Sequence, residues 1–123
     1  MSVLLSHPTG NSFARNALIA LNQANLIREF VTTVATFENN AFGRMAKLPG
    51  CGELARRSYP QEIQHLTHQA PLRELIRTLA PKIGLSQLTQ HETGAFCVDK
   101  IYQGIDRLTA KRARVLASEI QAV

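Results

Sequence analysis

The sequence predicts an α/β protein, rich in helix, with a small and mostly parallel sheet. Three observations predict it. The chain opens Val3-Leu-Leu-Ser-His-Pro-Thr-Gly-Asn-Ser12: a short apolar run, a turn punctuated by proline and glycine, then side chains suited to capping a helix. An amphipathic stretch runs from there to Ala24, and a β-branched run comes next at 30–36. Helical periodicity dominates the rest. The order is therefore β-α-β, then mostly helix.

The first strand, 3–6, is short and takes its strand character from Pro8 and Gly10 just after it. Asn11 or Ser12 caps the first helix, since either side-chain oxygen can accept from a free amide of the first turn. Phe13, Ala17, Ala20, Leu21 and Ala24 then fall on one expected core face, widened by Leu18 and Ile19. The run Phe30-Val-Thr-Thr-Val-Ala-Thr36 is the clearest strand, and Glu38-Asn-Asn40 interrupts it. Two short basic helical pieces fill 41–58, split by Pro49-Gly50-Cys51-Gly52. A third short strand is expected at 63–67. Pro71 suits the first position of a helix, and Leu72, Leu75, Ile76, Leu79, Ala80 and Ile83 give it a stripe that Pro81 and Gly84 close. Residues 85–90 fit no single element. Thr93-Gly94 precedes the longest periodic run, marked by Val98, Ile101, Tyr102, Ile105, Leu108, Val115, Leu116 and Ile120. Asp99 near its start and Arg107, Lys111, Arg112 and Arg114 later suit the helix dipole.

With 123 residues there is room for one domain, 1–123, and one modest core. Apolar residues make up 45% of the chain and charged ones 19%, which excludes disorder and a membrane-spanning class. There are five Phe, two Tyr and no Trp, so the core is built mainly from aliphatic side chains. No apolar run approaches the roughly 20 residues of a spanning helix, and no secretory leader is visible. Two cysteines without short spacing, Cys51 and Cys97, read as free thiols of a cytoplasmic protein. The net charge of +5 favours anionic partners without choosing among them.

Several residues could carry chemistry. Gly10 and Asn11 lie between strand and helix, where a glycine admits close backbone approach and the helix start attracts an anion; a plain capped turn is the other reading. The string is not a G-x-G-x-x-G fingerprint. His7 sits at the carboxyl end of the first strand, where open α/β sheets take ligands. A neutral imidazole there could hydrogen-bond a hydroxyl, or simply shelter behind Pro8. Arg15, one turn into the helix, could reach an anion or face solvent. His65 and His68 are spaced i, i+3, with no further ligand to complete a metal site. His91 and Glu92 precede the long helix, placed either for acid–base or substrate-binding work or for capping. Arg44, Lys47, Arg56 and Arg57 alternate with Phe42, Met45, Leu48 and Leu54, a basic amphipathic pattern that could lie on an anionic membrane at the inner face.

The string Leu5-Ser-His-Pro-Thr-Gly-Asn11, with Ala17-Leu-Ile-Ala-Leu21 and Phe30-Val-Thr-Thr-Val-Ala35, resembles the start of bacterial glycosyltransferases of the GT-B fold, in the retaining, family-four-like group. Arg73-Glu-Leu-Ile-Arg77, His91-Glu-Thr-Gly94, Val98-Asp99, Ile101-Tyr102 and Ile105-Asp106 are similar to that group as well. The resemblance runs over nearly the whole chain, but only to the N-terminal part of such an enzyme. It implies a partial Rossmann-like domain on the acceptor side, with the donor-binding C-terminal domain absent. It further implies that the loop around Gly10 faces the donor diphosphate and the acceptor hydroxyl. His7, Gly10, Asn11, Arg15, His91 and Glu92 are then the expected substrate-binding residues. The whole enzyme would move a sugar from a nucleotide-sugar to a hydroxyl, with the nucleotide-sugar as substrate and no separate cofactor; this chain alone is expected to be inactive.

The alternative from another class is a small basic helical module that binds nucleic acid or a partner protein through Arg107, Lys111, Arg112 and Arg114. Nucleic acid is disfavoured by the lack of helix-turn-helix spacing and of aromatics for stacking. A third reading is a homodimer through the apolar face of the last helix.

Overall fold

The computed structural model describes residues 1–9, 11–50, 52–71, 76, 84 and 98–123. Within them the chain forms a small α/β protein around a three-stranded parallel sheet. The elements are β1 (Val3–Ser6), α1 (Ser12–Gln23), β2 (Ile27–Thr32), α2 (Ala41–Met45), α3 (Gly52–Ala55), a 3-10 turn (Gln61–Leu66), β3 (Thr67–Gln69) and α4 (Val98–Val115). The helix expected after Pro71 lies almost wholly outside the described residues, as do Gly10, Cys51 and 85–97.

The strand order is β1-β2-β3. Leu5 pairs with Phe30 and Val31 with His68, both in parallel ladders. Successive strand residues point to opposite faces, and the two cores obey this. Leu5 and Phe30 join Leu18 of α1 together with Ala35, Phe37, Tyr59 and Ile63. Leu4 and Val31 join Ile105 and Leu108 of α4. The helices thus cover both faces of the sheet. Burying Leu4, Leu18, Phe30 and Val31 fully contributes about 1.5–3 kcal/mol for each side chain.

Three expectations are corrected. The central strand spans Ile27–Thr32 rather than 30–36. Asn25 takes a positive φ of 54°, which turns the chain after α1 and lets strand pairing begin at Ile27. Beyond Thr32 the chain stays buried but leaves the ladder; Thr36 makes only an isolated bridge to Ser58. The third strand falls at Thr67–Gln69 instead of 63–67, because Ile63 is buried from the 3-10 turn. In α1 the buried residues are Ala14 and Leu18, while Phe13, Ala17, Ala20 and Ala24 of the expected face are exposed. A mostly alanine stripe has little apolar area to remove from water, and the helix turns its larger Leu18 inward instead.

In α4 the expected stripe is largely packed on the sheet. Ile101, Ile105 and Leu116 are buried, leaving Val98, Tyr102 and Val115 exposed for any second copy. Glu29 of β2 accepts hydrogen bonds from the Nε and Nη2 atoms of Arg112, and Nε2 of His68 lies 3.4 Å from the same carboxylate. This pair fastens α4 across the sheet. After α4 the chain returns to β1: Leu4 donates to the Ala122 carbonyl at 3.0 Å and Gln121 to the Ser2 carbonyl at 2.9 Å. None of the described helices is long and apolar enough to cross a membrane.

Candidate functional site

The loop after β1 leaves the sheet at its carboxyl end and is held from below. The His7 amide donates to the Val31 carbonyl at 3.0 Å. Thr33 lies on the buried chain just past β2, and its hydroxyl donates to the Pro8 carbonyl at 2.6 Å. Arg57, only 9% exposed, donates from Nη1 to that same hydroxyl at 2.9 Å. One threonine oxygen thus relays between a buried guanidinium and the loop. Within the loop the Thr9 amide donates to Nδ1 of His7 at 3.2 Å. Burial lowers the pKa of this imidazole, which favours its neutral form. With Nδ1 accepting, the ring proton belongs on Nε2. Asn11 then caps α1, its side-chain oxygen accepting from the Ala14 amide at 2.9 Å.

Between this loop and α4 lies a crevice of about 370 Å³, lined by Ser6, Pro8, Tyr102, Ile105, Asp106 and Thr109. It opens at the carboxyl end of the first strand of a parallel sheet, the usual ligand position in open α/β folds. Its size falls at the low end of small-molecule sites. Tyr102, Ile105, Asp106 and Thr109 succeed one another at i, i+3, i+4 and i+7, so one face of α4 supplies four of the six described lining residues. The hydroxyls of Ser6 and Thr109 are hydrogen-bonded to each other at 2.8 Å across the sheet–helix boundary. Hydroxyls, a carboxylate and an aromatic ring over an isoleucine suit a small ligand with both hydroxyls and C–H surface. A smaller cavity of about 220 Å³ lies in the insert between β2 and β3, bounded by Phe37, Glu38, Gly43, Lys47 and Ser58. Small side chains and loop backbone form much of it, and it is separate from the β1 loop.

Of the substrate-binding residues expected from the sequence, His7 and Asn11 do flank the β1 loop. Arg15 is turned toward the insert: its Nη2 donates to the Arg56 carbonyl, and its guanidinium sits 5.8 Å from the centre of the Tyr59 ring. Gly10, His91 and Glu92 lie outside the described residues. Arg15 Nε, the Thr32 hydroxyl and the Tyr59 hydroxyl are buried with no hydrogen-bond partner among the described residues. Burial raises the pKa of Tyr59, against the opposing effects of Thr32 and of the Arg15 and Arg57 charges.

Sequence reasoning did not single out Ser6, Thr33, Tyr102, Asp106 or Thr109 as site residues, and it read Arg57 only as part of the basic amphipathic segment. The signal for three of them was present. Tyr102 belongs to the apolar stripe, and Asp106 and Thr109 run beside it at the same helical spacing. For Thr33 and Arg57 no local signal exists, because their roles arise from contacts between distant segments. His65 is exposed on the 3-10 turn, while His68 lies on β3 beside Glu29. Among the described residues no three His, Cys, Asp or Glu side chains come together as a metal-binding group. In the basic amphipathic segment, Arg44, Lys47, Leu48 and Arg56 are exposed, while Leu54 and Arg57 are buried. No protein-family model, curated protein or solved structure matches the chain.

Proposed function

We propose that this chain is the acceptor-side, Rossmann-like unit of a glycosyltransferase. In this reading the crevice between the β1 loop and α4 holds the hydroxyl-bearing acceptor while a nucleotide-sugar supplies the sugar. The observation that carries the reading is the crevice itself: Ser6, Thr109 and Asp106 offer hydrogen-bonding oxygens, and Tyr102 and Ile105 offer apolar surface, at the carboxyl end of β1. A sugar presents the complementary mixture, with hydroxyls around its rim and C–H groups on its faces. His7, on the loop that bounds the crevice, is held toward its neutral form by burial and so adds no positive charge to that loop. The competing reading, a nucleic-acid-binding helix, is weakened because Arg112 is engaged by Glu29.

Titration of the chain with simple mono- and disaccharides tests the proposal. Millimolar binding is expected, near −4 kcal/mol, with Tyr102→Ala weakening it and the fold unchanged by circular dichroism. Absence of binding by every saccharide, or binding indifferent to Tyr102→Ala, would overturn it. The chain alone is expected to transfer no sugar from a nucleotide-sugar donor.

A further inference from the structure

The chain is strongly basic overall, yet the described lining of its crevice is not. The one charged side chain among the described lining residues is Asp106. Arg107, its neighbour on α4, does not line the crevice, nor do Lys111 and Arg112. The Asp106 side chain has no hydrogen bond or ion pair to any described residue. An ionised carboxylate is an acceptor only. The hydroxyls lean the same way. In the Ser6–Thr109 pair one hydroxyl proton is used between the two oxygens, so the pair retains one proton to donate and several lone pairs to accept with. Among the described lining residues, the Tyr102 hydroxyl included, the polar wall therefore has more acceptors than donors, and its charge is negative.

A ligand suited to that wall brings hydrogen-bond donors and no negative charge. Phosphate and carboxylate groups bring acceptors and like charge, and both work against Asp106. A protonated amine does the reverse, offering donors and the opposite charge to an unpaired carboxylate. Resting on the reading of this crevice as an acceptor site, we infer that its ligand is an unphosphorylated amino sugar, and that Asp106 is the residue that selects it. Tyr102 and Ile105 hold the ring face whatever the substituents, so they supply affinity without choosing between amine, hydroxyl and phosphate.

The experiment is a titration of the whole chain at pH 7 with glucosamine, glucose and glucose 6-phosphate, repeated on Asp106→Asn. Asp106 is exposed, so the variant is expected to keep its thermal midpoint, which circular dichroism checks. In the parent chain glucosamine is expected to bind up to about fivefold more tightly than glucose, the magnitude of an exposed ion pair. Glucose 6-phosphate is expected to bind more weakly than glucose. In Asp106→Asn glucosamine and glucose should converge to within about twofold, because the amide keeps a hydrogen-bonding oxygen and loses the charge. Glucose 6-phosphate binding as tightly as glucose would overturn the inference and leave the acceptor reading standing. So would a glucosamine preference that survives Asp106→Asn. Failure of all three sugars to bind would overturn the acceptor reading and the inference with it.

Discussion

Gly43 stands where no side chain fits. A Cβ at this position would lie 1.9 Å from the Phe37 carbonyl oxygen and 2.9 Å from its carbon, and backbone cannot move aside as a flexible side chain does. The close approach comes from Asn40. Its side-chain oxygen accepts from the amides of Phe37 and Gly43, at 3.0 and 2.7 Å, and its side-chain nitrogen donates to the Ala35 carbonyl at 2.8 Å. One side-chain amide thus folds the chain between residues 35 and 43 around itself. Gly43→Ala is expected to destabilise the protein by about 3 kcal/mol, the upper end of overpacking costs. Chemical denaturation measures this, and a midpoint equal to that of the parent chain would refute the account. In the sequence Asn40 was legible only as part of an interruption after the strand; its capping of α2 is seen in the structure. The need for glycine was not, because the obstructing atom belongs to the backbone six residues earlier. The same limit applies to Thr33, whose hydroxyl links Arg57 to Pro8 across 24 and 25 residues of sequence.

At the scale of elements, α1 shows what periodicity conveys and what it omits. Its length and its cap result from local chemistry, and of the two capping candidates, Asn11 and Ser12, the structure uses Asn11. Its orientation does not, because apolar residues occupy most of its circumference and several faces compete for the sheet. The face chosen is the one that inserts Leu18 against Phe30 and Tyr59, whose ring centres lie 5.2 Å apart. Leu18→Ala is therefore expected to cost about 2–5 kcal/mol. Ala17→Ser, one position along and exposed, should stay within about 0.5 kcal/mol. Equal effects in thermal melts would show that the helix is rotated toward the alanine stripe after all. The strands divide in the same way. β-branched composition located the central strand, but where its pairing starts and stops is decided by the Asn25 turn and by the partner strands. β3 is three residues long and, among the described residues, pairs only with β2, so its position rests on tertiary contact. The strand-turn-helix opening was legible, and with it the place of His7 and Asn11 beside the β1 loop. The other wall of that site was not, because Tyr102, Asp106 and Thr109 become site residues only once α4 crosses the end of β1.

Across the whole molecule, one carboxylate ties α4 to the middle strand of the sheet. The hydrogen bond from Arg112 lowers the Glu29 pKa, burial opposes this, and the charges of His68 and Arg112 add to the lowering. A carboxyl with a lowered folded-state pKa contributes stability above its unfolded value, and loses that contribution as the pH falls through the folded value. His7, lowered by burial, acts in the same direction at higher pH. Its contribution is complete above about 6.5, the ordinary histidine value, and fades below it. Stability is expected to decline on acidification in two stages, the first below about pH 6.5 and the second below about pH 4.3, the ordinary Glu value. Glu29→Gln should lower the thermal midpoint at pH 7 and flatten the second stage while leaving the first. A variant that keeps the parent chain's acid limb would show that Glu29 is not its source. The return of the chain from α4 has a practical consequence. Ala122 pairs beside Val3 at the amino end of β1, whereas the crevice opens at the other end of that strand. A surface anchor or fluorescent label attached at either terminus would sit at the far rim from the ligand opening, so immobilised molecules should present that opening outward, toward the solution.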